Sequence, residues 1–124
     1  MPYPATEEMV QAAEHALGRR LPDDFRNRLL RDNGGEVKAA GDYWTLFPVW
    51  DPGNRRTMRK TCNHIVRESG LAHQKAGFPV GAIAIAANGC GDHLIIRAGS
   101  DDVEFWDHET GESRRVRVRW KEEQ

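Results

Sequence analysis

A chain of 124 residues with 18 Lys and Arg against 19 Asp and Glu carries almost no net charge, which excludes a strongly basic nucleic-acid protein and a strongly acidic decoy of nucleic acid. The length suffices for one domain, residues 1–124, that buries roughly two-thirds of its unfolded surface without metal or disulfide support. Cys62 and Cys90 lack metal-ligand spacing, no apolar run is long enough to span a membrane, and the first residues carry no basic and apolar leader; free thiols and a cytoplasmic setting are expected.

Thr6 can cap a helix whose first turn carries Glu7 and Glu8, with Met9, Val10, Ala13, Ala16 and Leu17 as its buried stripe and Gly18 as its stop. Leu21-Pro22-Asp23-Asp24 restarts a helix with proline at its first position, and Phe25, Leu29 and Leu30 repeat at helical spacing until Asn33-Gly34-Gly35. The two predict an αα-hairpin. Residues 43–49 read as a short strand near a sheet edge, bounded by Gly41 and by Asp51-Pro52-Gly53-Asn54. Residues 55–69 predict a third helix with Met58, Cys62, Ile65 and Val66 inward and Arg55, Arg56, Arg59, Lys60 and Arg67 outward. Gly70 closes it, and residues 71–77 follow as a loop or short helical turn.

The apolar run Ala82-Ile83-Ala84-Ile85-Ala86 predicts a strand buried on both faces, ended by the turn Asn88-Gly89-Cys90-Gly91-Asp92. Centring the next hairpin on Gly99-Ser100-Asp101-Asp102 places Ala98 opposite Val103, Arg97 opposite Glu104 and His93 opposite His108. Leu94, Ile96, Val103 and Phe105 then share a core face, while Ile95, Trp106, Arg97 and Glu104 share a partly wet one. A last strand alternates Val116, Val118 and Trp120 with Arg115, Arg117 and Arg119, completing a meander of four strands; residues 121–124 are expected to fray.

Leu17-Gly18-Arg19-Arg20-Leu21-Pro22-Asp23-Asp24-Phe25, then Asn33-Gly34-Gly35, Phe78-Pro79, Asn88-Gly89-Cys90-Gly91-Asp92 and Val103-Glu104-Phe105-Trp106-Asp107-His108-Glu109 occur in an order that resembles the SMI1/KNR4 (SUKH) family. The resemblance implies an α+β fold with helices around one mainly antiparallel sheet and a C-terminal β-meander. It also implies a bacterial immunity protein that binds and neutralises a cognate toxin, nucleases being a common class; fungal members regulate the cell wall through partners. Catalysis, cofactors and metals are not implied. The near-neutral charge departs from what an inhibitor mimicking nucleic acid would carry.

The individual residues point to structure before chemistry. His93 and His108, with Asp92 and Asp107 alongside, suggest a metal or acid–base pair, but no third ligand follows by spacing and turn-flanking His and Asp commonly satisfy backbone groups. Cys62 and His64 point to different helix faces, and Gly89-Cys90-Gly91 lacks the length and lysine of a phosphate loop. Four tryptophans are too many for a core of this size to hide, so one or two should sit half exposed.

The expected function is therefore binding of a toxin protein, as a monomer or weak homodimer, without catalytic residues, metal, cofactor, membrane or nucleic acid. The expected contact residues are Trp44, Trp50, Arg97, Glu104, Trp106 and His108. The alternative is a nucleic-acid or anionic-ligand module using the ladder Arg115, Arg117 and Arg119, whose binding would weaken steeply with salt. A small hydrolase built on Asp107, His108 and Cys90 is a third reading, for which spacing assembles no nucleophile, base and orienting group.

Overall fold

The computed structural model describes residues 3–121. The expected fraying of residues 122–124 lies outside the described residues.

The first two helices form where the sequence predicts them, the first with a side-chain cap and the second without one. α1 (Glu7–Leu17) starts with the Thr6 hydroxyl accepting from the Met9 N–H at 3.2 Å and ends at Gly18, whose φ of 75° is the left-handed stop a side chain would resist. α2 (Asp23–Arg31) starts after Pro22, which stands at the cap rather than inside the first turn. Arg26 of α2 is buried against α1, its Nε donating to Glu14 Oε2 at 2.9 Å and a terminal nitrogen pairing with Glu7. Glu14 Oε2 also accepts from the Leu21 N–H at 2.7 Å, so one carboxylate fixes both the helix pair and its connection. Phe25 and Leu29 point the apolar side of α2 into the core at 0% exposure.

The sheet is antiparallel throughout: β1 (Glu36–Ala39), β2 (Asp42–Leu46), β3 (Ile83–Ala87), β4 (His93–Ile96), β5 (Val103–Trp106), β6 (Ser113–Arg115) and β7 (Val118–Arg119), in the order β6-β5-β4-β3-β2-β1-β7. β6 and β7 occupy opposite ends of that order, yet Arg115 and Val118 are three residues apart, a reach of at most about 11 Å. The sheet must therefore curl until its two edges approach. Trp44 on β2 meets Phe105 on β5 edge-on across the interior of the curl, with ring centroids 5.4 Å apart. Val37, Leu46, Leu94, Ile96 and Val103 join them on that concave face by strand alternation.

The opposite face is covered as well. α4 (Ile65–Ala72) lies on β3, where the Ser69 hydroxyl donates to the Ala84 carbonyl at 3.1 Å and accepts from the Ala84 N–H at 3.0 Å. That pair sits beside a bulge: Ala84 pairs Ile95 and Ala86 pairs Leu94, leaving Ile85 as the extra residue. The segment after α4 folds over the sheet, with Phe78 against Trp106 at 5.1 Å and the Trp106 indole N–H on the Gly77 carbonyl at 3.3 Å.

The α+β class, the αα-hairpin and the β3-to-β6 meander match expectation, and several details do not. Ile96, not Ala98, lies opposite Val103, so the β4–β5 register is displaced by two residues; the faces survive the shift because alternation has a period of two. On the face expected to be partly wet, Ile95 and Trp106 are fully buried at 0% exposure, while Arg97 is exposed and Glu104 half-buried. β1 was not anticipated. It pairs with β2 through a tight turn in which Ala40 (φ 54°) and Gly41 (φ 75°) both lie in the left-handed region, and β2 is thereby an inner strand rather than an edge.

The predicted helix over residues 55–69 is two helices. α3 (Arg55–Lys60) carries a capping box between Asn54 and Thr57 and stops where the Thr61 hydroxyl donates back to the Thr57 carbonyl at 2.8 Å. α4 restarts after His64, whose Nδ1 accepts from the Arg67 N–H at 3.4 Å. The alternating strand over residues 115–120 is also divided, because its two halves pair with opposite edges of the curl.

Candidate docking surface

The structure separates the six expected contact residues. Trp44 and Trp106 are fully buried, so neither belongs to an exposed surface; each indole N–H finds a backbone carbonyl, Ala39 at 2.9 Å and Gly77 at 3.3 Å, which lets the whole side chain enter the core. Arg97 and Glu104 do pair, Nε to Oε2 at 3.1 Å, but diagonally, since Glu104 stands opposite Ile95. Burial pushes the Glu104 carboxyl upward, and hydrogen bonds from the Ser113 hydroxyl and Arg97 outweigh it and hold the group below its ordinary range.

His108 is tied to the β3–β4 turn. Its Nδ1 lies 2.6 Å from Asp92 Oδ1, which also accepts from the His108 N–H at 3.1 Å, while Asn88 Nδ2 donates to Asp92 Oδ2 at 3.1 Å. Gly91 makes this possible: at φ 99° a Cβ there would stand 3.1 Å from the His108 ring. His93 is elsewhere, buried opposite Trp106, so the two histidines are not cross-strand partners. Asp92, Asp107 and His108 offer three ligand atoms within 4.8 Å of one another, and they are the residues that could hold a metal; the hydrogen bonds of the corner account for the Asp92–His108 geometry without one. The exposed Cys90 is not part of that group.

The arginine ladder is not a ladder. Arg115 lies on β6 facing Asp102 at 3.6 Å, Arg119 lies on β7 beside Lys38, and Arg117 falls between the strands. The anionic-ligand face that required all three on one strand is absent among the described residues.

Of the three tryptophans expected at the contact, Trp50 is the one that keeps contact with solvent, at 38% exposure, with its ring 5.3 Å from His64; Tyr43 on β2, at 62%, is the more exposed aromatic. The loop beneath it is fixed by Asp51, whose carboxylate accepts from the Tyr3 hydroxyl and from the Gly53 N–H at 2.9 Å, and whose own N–H donates to Thr61 Oγ1 at 3.0 Å. The Tyr3 bond, then the Gly53 N–H, hold the Asp51 carboxyl below its ordinary range. Burial, with Arg67 adding to it, pushes His64 below its usual pKa, consistent with a neutral ring capping α4.

Trp50, Pro52 and Val66 form one wall of a groove of about 380 Å³, and Met9, Ala12, Ala13 and Ala16 of α1 form the other. Sequence reasoning singled out Trp50 but read α1's apolar residues as core; the signal for the groove is that Ala12 widens the stripe beyond what one neighbouring helix covers. Beyond Pro52 runs α3, where Arg55, Arg56 and Arg59 are exposed and make no ion pair among the described residues, and Lys60 lies 5.2 Å over the Tyr3 ring.

A curled antiparallel sheet with an αα-hairpin and a further helix packed on it, and an aromatic ring beside an apolar groove, defines an α+β domain. The chain belongs to the SMI1 / KNR4 family (SUKH-1), whose model matches residues 4–121. No curated protein matches the chain. Among the described residues, no helix is long and apolar enough to cross a membrane.

Proposed function

We propose that this protein is an immunity protein that binds a cognate toxin in the cytoplasm and blocks its active site or substrate access by surface complementarity. Family membership over residues 4–121 supports the partner class. The observation that carries the binding reading is Trp50, a large aromatic held at 38% exposure on a braced loop, because such rings are the usual anchors of protein interfaces. Arg97, Glu104 and His108 contribute at most at the rim, since each already has an internal partner. No residue of the chain is asked to do chemistry.

The test is co-expression with the toxin encoded beside this chain. Rescue of growth and a co-purifying complex of the two proteins are expected; a toxin that kills equally with and without this protein, and never elutes with it, ends the proposal.

A further inference from the structure

We infer that the groove between α1 and α4 seats a helix of the partner protein that has one apolar face and an acidic flank. This rests on the protein-binding reading and names the chemistry of the surface that would carry it. Ala12 and Ala16 keep the α1 wall low, which lets a second helix approach at ordinary interaxial spacing, about 8–10 Å. Met9, Val66, Trp50 and Pro52 supply the apolar contacts for its side chains.

Charge decides the flank. Arg19, Arg26, Arg97 and Arg115 each face a carboxylate within the chain, whereas Arg55, Arg56 and Arg59 face none among the described residues. These three are not in the groove's lining; they stand on the helix that begins three residues after Pro52, which is. Aspartate or glutamate on the incoming helix would supply what the chain itself does not. Glu8 at the α1 side sets the opposite polarity and selects against an occupant that is acidic on both flanks. A second copy fits less well, because two concave grooves brought face to face enclose a void instead of filling one. A bilayer fits less well too, because membrane binding needs an apolar face that protrudes, and this one is concave.

The experiment is an NMR titration of the isotope-labelled full chain with two synthetic helical peptides of about 18 residues, long enough to hold helix in water. Both carry a leucine stripe; one has glutamate along a flank and the other lysine. The glutamate peptide is expected to shift the amides of α1, the Trp50 indole and α3, and to bind at least about tenfold more tightly than the lysine peptide. Ala12→Glu, on the exposed side of α1 where the helix tolerates it, is expected to weaken that binding at least about tenfold with an unchanged melting temperature, and Arg55→Glu with Arg59→Glu to reverse the peptide preference.

Equal binding of the two peptides, no binding of either, shifts confined to other surfaces, or indifference to Ala12→Glu overturns the assignment. So does a concentration-dependent dimer, or vesicles of phosphatidylserine, that engages the groove in preference to the glutamate peptide. Toxin co-expression separates the two levels: if Ala12→Glu protects cells as well as the unaltered chain, the immunity reading stands and the groove assignment falls. If the unaltered chain gives no protection, the immunity reading falls and the titration still judges the groove.

Discussion

Lys75 Nζ lies 2.9 Å from His93 Nε2, while His93 Nδ1 lies 3.1 Å from the Ala86 carbonyl oxygen. An ammonium can only donate and a carbonyl can only accept, so the imidazole is neutral with its proton on Nδ1. Burial is the main cause that pushes His93 below its ordinary pKa; the Ala86 carbonyl opposes it and Lys75 adds to it, with Glu68 and Asp92 pulling weakly upward. A depressed folded-state pKa means that the unfolded chain binds the proton more readily. The stabilisation is therefore fully present above the ordinary histidine value, about 6.5, and is lost as pH falls through the lower folded-state value.

Urea unfolding should accordingly show lower stability at acid pH than at neutral pH, and Lys75→Met should narrow that difference by removing the like charge. His64 is depressed in the same direction, so the comparison is made in a His64→Asn background, which keeps a capping side chain. A His93→Gln variant with an undiminished acid loss would assign the effect to other groups.

Ser69→Ala should cost about 1–3 kcal/mol, because it leaves the N–H and C=O of Ala84 without their buried partner on α4. No cavity of consequence forms, so the loss reports the hydrogen bonds. Denaturant titration should show a lower midpoint with an unchanged slope; a change below about 0.5 kcal/mol would mean that the bulge finds its partners elsewhere.

Gly91→Ala carries two penalties, a φ of 99° and a Cβ 3.1 Å from the His108 ring. The backbone part alone is about 1–2 kcal/mol. Combining it with His108→Ala should recover the steric share and none of the backbone share, so the double variant should be more stable than the sum of the two singles predicts. Strict additivity would show that the imidazole moves aside freely.

What could be read from the sequence was local. Thr6, Gly18 and Pro22 mark α1 and α2 through chemistry confined to a few neighbours, and the glycine turns around β3, β4 and β5 bound continuous apolar runs. The β4–β5 register escaped because residues 97–102 form a longer loop, and what secures it comes from far along the chain: Arg19 Nη1 donates to the carbonyls of Arg97 at 3.2 Å and Ser100 at 2.8 Å. Alternation placed Trp106 on the correct face but could not show that Phe78 and Gly77 cover that face. The Val and Arg alternation over residues 115–120 is a fair strand pattern; only the closure of the curl, a property of all seven strands, breaks it in two. The same limit hid the groove, since whether α1's apolar residues are core or surface depends on where α4 comes to rest.

Trp50 and Trp106 provide the sharpest separation of binding from folding. Trp106 is at 0% exposure between Phe78 and His93, so Trp106→Ala should cost about 3–5 kcal/mol of stability. Trp50 is at 38% exposure, its ring against His64 at the rim of the groove, so Trp50→Ala should cost much less, about 1 kcal/mol. Partner affinity should move the other way: a central aromatic anchor is worth at least about 2 kcal/mol on truncation, roughly a thirtyfold weaker complex. Urea titration and a binding isotherm on the same two variants check both halves. A Trp50→Ala protein that is as stable as expected and binds the proposed toxin undiminished would place the interface elsewhere, because exposure without an energetic consequence is what an ordinary surface ring shows.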